Sequence, residues 1–256
     1  MKLNVSKLED ALNRRGFEEF QFTPKPAEIE QLSHSQAFKD WRSFRLDPTR
    51  AITLSQTTID RLEHNTSRSE TSPPSQTELL FANSVTLTDT LEALHQAYAI
   101  SPSGFRQSNG FSYGGRTGKR SVFPPPAQIP HQLSKIDQLS RSALILERPW
   151  GPFLVMLLIL RLHPFYDGNG RCARAYLHVE LWRRSLISDV GLPLSMVLDA
   201  NRDLELALHQ SVSTAETSES QSEGVAEWIM FFAQIYKKAL CYRLVSKQVM
   251  PKDSVE

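Results

Sequence analysis

Apolar residues recur three and four positions apart along most of this chain, the pattern of helices that bury one face. Leu3, Val5, Leu8 and Leu12 predict a short amphipathic helix, ended by Pro24 and Pro26. Ile29, Leu32, Phe38, Trp41 and Phe44 predict a second over residues 27–44, broken at Asp47-Pro48, and Leu54, Ile59 and Leu62 a third over residues 55–63. Residues 64–76 are polar and rich in breakers, and taken alone they read as a linker. Helical spacing returns over residues 76–100 (Leu79, Leu80, Val85, Leu87, Leu91, Leu94), as one or two helices. Thr88-Asp89 suits the N-cap of the second, and Pro102 and Gly104 stop it.

The period changes to two in one place. Phe111 and Tyr113 alternate ahead of Gly114-Gly115, and Val122-Phe123 can return antiparallel, so residues 104–126 predict a β-hairpin. Gly118-Lys119 there is no phosphate loop of the Walker type, because Tyr113 stands where a glycine is required and Arg120 where Ser or Thr is. Residues 127–147 then predict a helix with Pro130 near its start. Residues 151–162 predict a helix that is apolar nearly all round and belongs in the middle of a bundle. Further helices are expected over residues 171–184, 199–212 and 225–245, with a turn at 189–193. The serine-rich stretch 211–222 reads as a mobile polar loop. The fold class that follows is all-α: a helical bundle carrying one β-hairpin.

Composition narrows the partners. Over 256 residues Lys+Arg is 29 against Asp+Glu 28, a net charge of +1, so no global field points to nucleic acid or to a membrane. Cys172 and Cys241 are too few and too far apart for a disulfide framework or a metal-binding spacing. The N-terminus lacks an apolar signal region, and the longest apolar run, residues 153–160, is too short to span a bilayer. A cytoplasmic protein is expected. The aromatic stripe of the last helix (Trp228, Phe231, Phe232, Tyr236, Tyr242) reads as core or as the contact of a homodimer.

The chemistry concentrates between residues 163 and 174, His-Pro-Phe-Tyr-Asp-Gly-Asn-Gly-Arg-Cys-Ala-Arg. Asp167-Gly168-Asn169-Gly170 stacks two turn dipeptides directly before a helix, where free N–H groups and the positive end of the dipole attract an anion. Arg171 and Arg174 share a face of the first turn, a place where cations are disfavoured unless a multiply charged anion such as a polyphosphate joins them. Asp167 offers a hard oxygen to a magnesium ion that also touches phosphate. His163, placed by Pro164 at the end of the preceding helix, can serve as a general base, and Phe165 as an apolar pin for the loop. Each fragment alone is commonplace; base, metal ligand, anion loop and two arginines within twelve residues are not.

This stretch resembles the Fic motif at every fixed position, His163-Pro164-Phe165-x-Asp167-Gly168-Asn169-Gly170-Arg171-x-x-Arg174. The resemblance implies a Fic-type bundle and transfer of AMP from ATP, with Mg²⁺, to a Ser, Thr or Tyr hydroxyl of a target protein or of the chain itself. Asp167 would hold the metal, the N–H groups of Gly168, Asn169 and Gly170 the phosphates, and Arg171 and Arg174 the β and γ groups. The family's kinase-like branch carries lysine where this chain has Gly170. The resemblance implies a division into an N-terminal helical region (1–84), a core (85–215) and a C-terminal supporting helix (216–256).

Two further features follow from the same resemblance. Thr66-Ser67-Arg68-Ser69-Glu70-Thr71 is similar to the family's inhibitory helix, Ser/Thr-x-x-x-Glu-Gly/Asn, whose glutamate pairs with the second motif arginine; it departs from the pattern at Thr71. The hairpin with Phe111, Ser112, Tyr113 and Gly114 resembles the flap that aligns a target strand by edge pairing. Alternatives from other classes are a hydrolase that removes AMP, a transferase using another nucleotide, and a nucleotide-binding interaction module without catalysis.

Overall fold

The computed structural model describes residues 4–35, 86–97, 102–114, 119–186, 197–198, 201–215 and 217–249. The helix expected over 55–63, the candidate linker, and Thr66 and Glu70 lie outside these residues, as does the turn at 189–193.

Helix α1 (Val5–Arg14) starts where the Asn4 side chain accepts the Lys7 N–H, and buries Leu8, Ala11 and Leu12. Helix α2 (Pro26–Ser33) has proline in its first turn, with Glu28 reaching back to the Lys25 N–H at 2.6 Å. Of the helix expected over 27–44, residues 36–44 lie outside the described residues, and α2 ends before them. His34 closes it at Ser33 by donating to the Glu30 and Leu32 carbonyls.

Helix α3 (Leu87–Ala97) begins ahead of its expected cap at Thr88-Asp89. Thr86 Oγ1 accepts the Asp89 N–H (3.2 Å) while Asp89 Oδ2 accepts the Thr86 N–H (3.1 Å), a reciprocal cap in which Asp89 is the third helical residue rather than the cap itself. Strand β1 (Phe111–Gly114) pairs antiparallel with β2 (Lys119–Val122), Phe111 opposite Val122 and Gly114 opposite Lys119.

The single helix expected over 127–147 is divided. A 3₁₀ turn (Pro126–Gln128) leads into α4 (Ile129–Arg141), and the short α5 (Ala143–Leu146) follows. Ser142 separates them with an extended backbone, its hydroxyl donating to the Leu139 carbonyl at 2.6 Å. Serine competes with the helix for its own backbone acceptors, and apolar spacing does not record that competition.

Helix α6 (Gly151–Leu162) is buried at nearly every position, as its uniform apolar character requires. Phe153 lies between Phe22 (ring centroids 5.9 Å) and Tyr236 (6.0 Å), and α6 packs against α4. Helix α7 (Asn169–Arg183) packs on α6 and α3 through Cys172, Ala173, Tyr176 and Leu177. Helices α8 (Arg202–Thr214) and α9 (Ser218–Val249) complete the bundle, α9 packing against α1, α2, α6 and α8.

The serine-rich stretch 211–222 is therefore not a loop. Its residues end α8 and begin α9, leaving 215–217 between them. Thr217 and Ser220 exchange side-chain and backbone bonds, the Ser220 N–H donating to Thr217 Oγ1 at 3.0 Å. Serines near a helix start satisfy orphan N–H groups, so a composition typical of loops was in fact capping chemistry. Cys172 and Cys241 are both buried free thiols. Among the described residues no helix is long and apolar enough to cross a membrane.

Candidate active site

The loop between α6 and α7 is held at both ends by helices of the core. His163 caps α6, donating its N–H to the Ile159 carbonyl at 3.0 Å. Its backbone is left-handed (φ 51°, ψ 61°), not the extended conformation expected of a residue before proline. The imidazole lies parallel to the Phe123 ring, centroids 3.9 Å apart and planes 3° apart. Burial pushes its pKa down to about 4, against an opposing hydrogen bond to the Leu160 carbonyl; the Arg106 charge adds to the lowering. At neutral pH the ring is uncharged. One nitrogen donates to Leu160, which leaves the other as the lone pair a base needs.

Phe165 pins the loop. It is fully buried, between His95 (ring centroids 4.1 Å) and Phe105 (5.3 Å). Asn169 folds its side chain back to the same residue: Oδ1 accepts the Phe165 N–H and Nδ2 donates to the Phe165 carbonyl, both at 2.9 Å. Those partners fix which way the amide faces. The Asn169 side chain is thus engaged within the loop, and only its backbone N–H faces a ligand role. Asn169→Asp would set a carboxylate oxygen against the Phe165 carbonyl in a buried place. We expect it to lower stability by about 1–3 kcal/mol and to weaken nucleotide binding with it, measured by thermal unfolding and calorimetry.

Beneath the turn, His95 Nε2 meets the Asp167 carbonyl at 3.2 Å. A carbonyl only accepts, so this nitrogen carries the proton. Burial lowers the His95 pKa, and its Nδ1 has no partner among the described residues, which fits a neutral ring holding the turn from below.

The upper surface suits an anion. Gly168 takes φ 81°, a conformation open to glycine, and α7 starts at the next residue. The first N–H groups of α7 have no acceptors within the helix and converge at its positive end. A Cβ on Gly170 would lie 2.9 Å from the Arg174 Nη1, so the guanidinium rests over bare backbone. Arg174 has no carboxylate partner among the described residues, whereas Arg171 pairs with Asp167 Oδ2 at 2.8 Å.

The Asp167 side chain is 70 % exposed, and its Oδ1 accepts the Gly168 N–H at 2.6 Å. Among the described residues no group of three or more His, Cys, Asp or Glu side chains could hold a metal by itself. One exposed carboxylate beside a phosphate cradle fits magnesium, which is commonly held by one or two carboxylates and the phosphates of its substrate.

The structure thus gathers His163, Asp167, Gly168, Asn169, Gly170, Arg171 and Arg174 into one loop and the first turn of α7. Phe111, Ser112, Tyr113 and Gly114 form β1, whose partner β2 leads into Phe123 and so to the imidazole. Three supporting residues were not among the expected site residues: His95, Arg106 and Phe123, the last read only as the return of the hairpin. The first two act on backbone carbonyls, which every residue possesses, so no complementary side chain pointed to them.

Residues 84–181 match the sequence model of the Fic/DOC family. No curated protein matches the chain. Among solved structures, a Fic family protein from Desulfovibrio desulfuricans G20 is similar with a TM-score of 0.55 at 15 % identity, over 98 % of this chain and 75 % of that one. A Fic domain containing signaling protein from Bacteroides thetaiotaomicron VPI-5482 gives 0.46 at 15 % identity, over 86 % and 97 %. The first likeness supports a Fic fold, in keeping with the mostly helical architecture of the described residues. Residues 84–181 of this chain are a domain of the Fic/DOC family.

Proposed function

We propose that this protein transfers AMP from ATP to a Ser, Thr or Tyr hydroxyl of a target protein and of itself. The observation that carries the reading is a neutral, half-buried imidazole mounted on the same loop as a helix N-terminus flanked by two arginines. The phosphates would rest on the N–H groups of Asn169 and Gly170, and on that of Gly168 once Asp167 Oδ1 releases it. Arg174, and Arg171 once released from Asp167, would meet the charge that grows on the leaving pyrophosphate. The free nitrogen of His163 takes the target hydroxyl's proton as that oxygen bonds to the α-phosphorus and the bond to the β-phosphate oxygen breaks. Asp167 would hold Mg²⁺, which when bound neutralises phosphate charge. The β1–β2 pair would serve as the flap, its strand edge aligning the target segment by backbone bonds.

Restraint by Glu70 belongs to the same proposal. The unpaired state of Arg174 among the described residues leaves it available to a glutamate. A charge-assisted pair of this kind contributes about 1.5–3 kcal/mol, enough to weaken productive ATP binding about tenfold to a hundredfold. The test is a panel of α-labelled ATP, CTP, GTP and UTP, given to wild type and Glu70→Gly with cell lysate. The expected result is label on protein from ATP, raised about tenfold or more by Glu70→Gly and unchanged by Glu63→Gly. Label from another nucleotide would change the substrate. Equal labelling by wild type and Glu70→Gly would remove the inhibitory role, and loss of label from a pre-modified target would favour the hydrolase.

A further inference from the structure

Arg106 is 2 % exposed and has no carboxylate beside it among the described residues. A buried guanidinium is costly unless its donors are satisfied, and here backbone carbonyls satisfy them. Nε donates to the His163 carbonyl at 2.7 Å, Nη1 to Ser108 at 3.0 Å, and Nη2 to Leu162 at 3.3 Å and to Pro124. Burial lowers its pKa.

The four acceptors fall into two groups. Leu162 and His163 are the last carbonyls of α6, where a helix leaves acceptors unpaired and the negative end of its dipole favours a cation. Ser108 and Pro124 belong to the segments that enter β1 and leave β2. Pro124 follows Phe123, the ring lying flat on the His163 imidazole. A single planar side chain therefore holds the peptide of the base and, through one intervening residue, the ring beside it.

The neighbouring backbone reinforces this arrangement. The Arg106 N–H donates to the Pro164 carbonyl at 2.9 Å, Phe105 bridges Phe165, and the Gln107 N–H donates to the Tyr166 hydroxyl at 2.8 Å. Residues 105–107 are thus fastened along 164–166, with the guanidinium turned under the end of α6. His163 keeps a left-handed backbone that a non-glycine residue holds only when its surroundings impose it. The Arg106 bond to its carbonyl is one such constraint.

We propose that Arg106 is a positioning residue: it holds His163 in its left-handed conformation and fixes the imidazole against Phe123, coupling the hairpin to the base. The kinetic part rests on the reading of His163 as the base of AMP transfer; the placement of the imidazole does not. Lysine can replace the fork only in part, since a single ammonium cannot span carbonyls on both segments.

The test compares full-length wild type, Arg106→Met and Arg106→Lys, with Phe123→Leu identifying the ring-current contribution to the His163 imidazole protons. In Arg106→Met those protons should move toward the shifts of a free imidazole, while the His95 protons, stacked on Phe165, stay in place. Transfer should lose about 100-fold in kcat with KM for ATP changed less than about twofold, and Arg106→Lys should recover part of the loss. Wild-type kcat and His163 shifts in folded Arg106→Met would overturn the proposal. So would lost kcat with unmoved His163 shifts, which would mean that Arg106 does not act through His163. If Arg106→Met fails to fold, Arg106→Lys carries the comparison; unfolding of both would make Arg106 a determinant of the fold and overturn the positioning role. If wild type transfers no nucleotide, the AMP-transfer reading fails, and the imidazole shifts still decide whether Arg106 places His163.

Discussion

His163→Asn should lose at least about a hundredfold in transfer while binding ATP with an affinity within about twofold of wild type. Asparagine is preferable to alanine because position 163 has φ 51°. Most side chains cost about 1–2 kcal/mol in that region, and asparagine tolerates it better. Comparing the two separates lost chemistry from lost stability: both should be inactive, with His163→Ala melting lower. The proposed phosphate contacts come from other residues, Gly168 to Arg174, so binding should persist.

The same ring sets a pH dependence. Its folded pKa of about 4 lies below the ordinary imidazole value of 6.5 because burial disfavours the charged form. Below 6.5 the unfolded chain binds a proton that the folded chain refuses. The stabilisation is complete above 6.5 and is lost as pH falls from 6.5 toward about 4. His163→Asn should flatten that part of the profile. In wild type, kcat/KM should hold through 6.5 and fall only as pH approaches about 4. An acid limb centred at 6.5 would show an imidazole in water, not the half-buried one described above.

Gly170→Ala should separate stability from binding in the opposite direction. Position 170 lies within α7, where alanine is favoured over glycine by up to about 1 kcal/mol, so the melting temperature should hold or rise. The new Cβ would stand 2.9 Å from the Arg174 Nη1, at the free end of a flexible side chain. The guanidinium moves and the fold does not. Losing a charge-assisted contact of about 1.5–3 kcal/mol should weaken ATP about tenfold to a hundredfold, with adenosine unaffected, by calorimetry. Gly168 cannot make this separation. At φ 81° any side chain is strained, so Gly168→Val should destabilise the loop and weaken binding together.

The centre of the molecule was legible because its signals are local and dense. An apolar run without a polar face can only be a buried helix, and α6 is one. Two turn dipeptides before a helical pattern can only present backbone, and Gly168 to α7 does so. Errors fell where side chains bond to nearby backbone. Ser142 divides a helix, Thr86 displaces a cap, and Thr217 and Ser220 turn an apparent loop into the start of α9. Apolar periodicity is blind to such bonds.

The supports of the site were illegible for another reason. His95 and Arg106 reach the loop across 72 and 57 positions and bind carbonyls of Asp167 and His163. A carbonyl acceptor has no residue type, so neither partner announces the other. Restraint by Glu70, the flap's role and the metal remain proposals built on this site.

The most direct measurement of the central claim is the position of the transferred label. Wild type and His163→Asn are each given ATP labelled at the α- or the γ-phosphate, and target or self-modified protein is collected. The expected result is protein carrying α-label but not γ-label from wild type, and neither from His163→Asn. Protein labelled from the γ position, or α-label unaffected by His163→Asn, would contradict AMP transfer with His163 as the base.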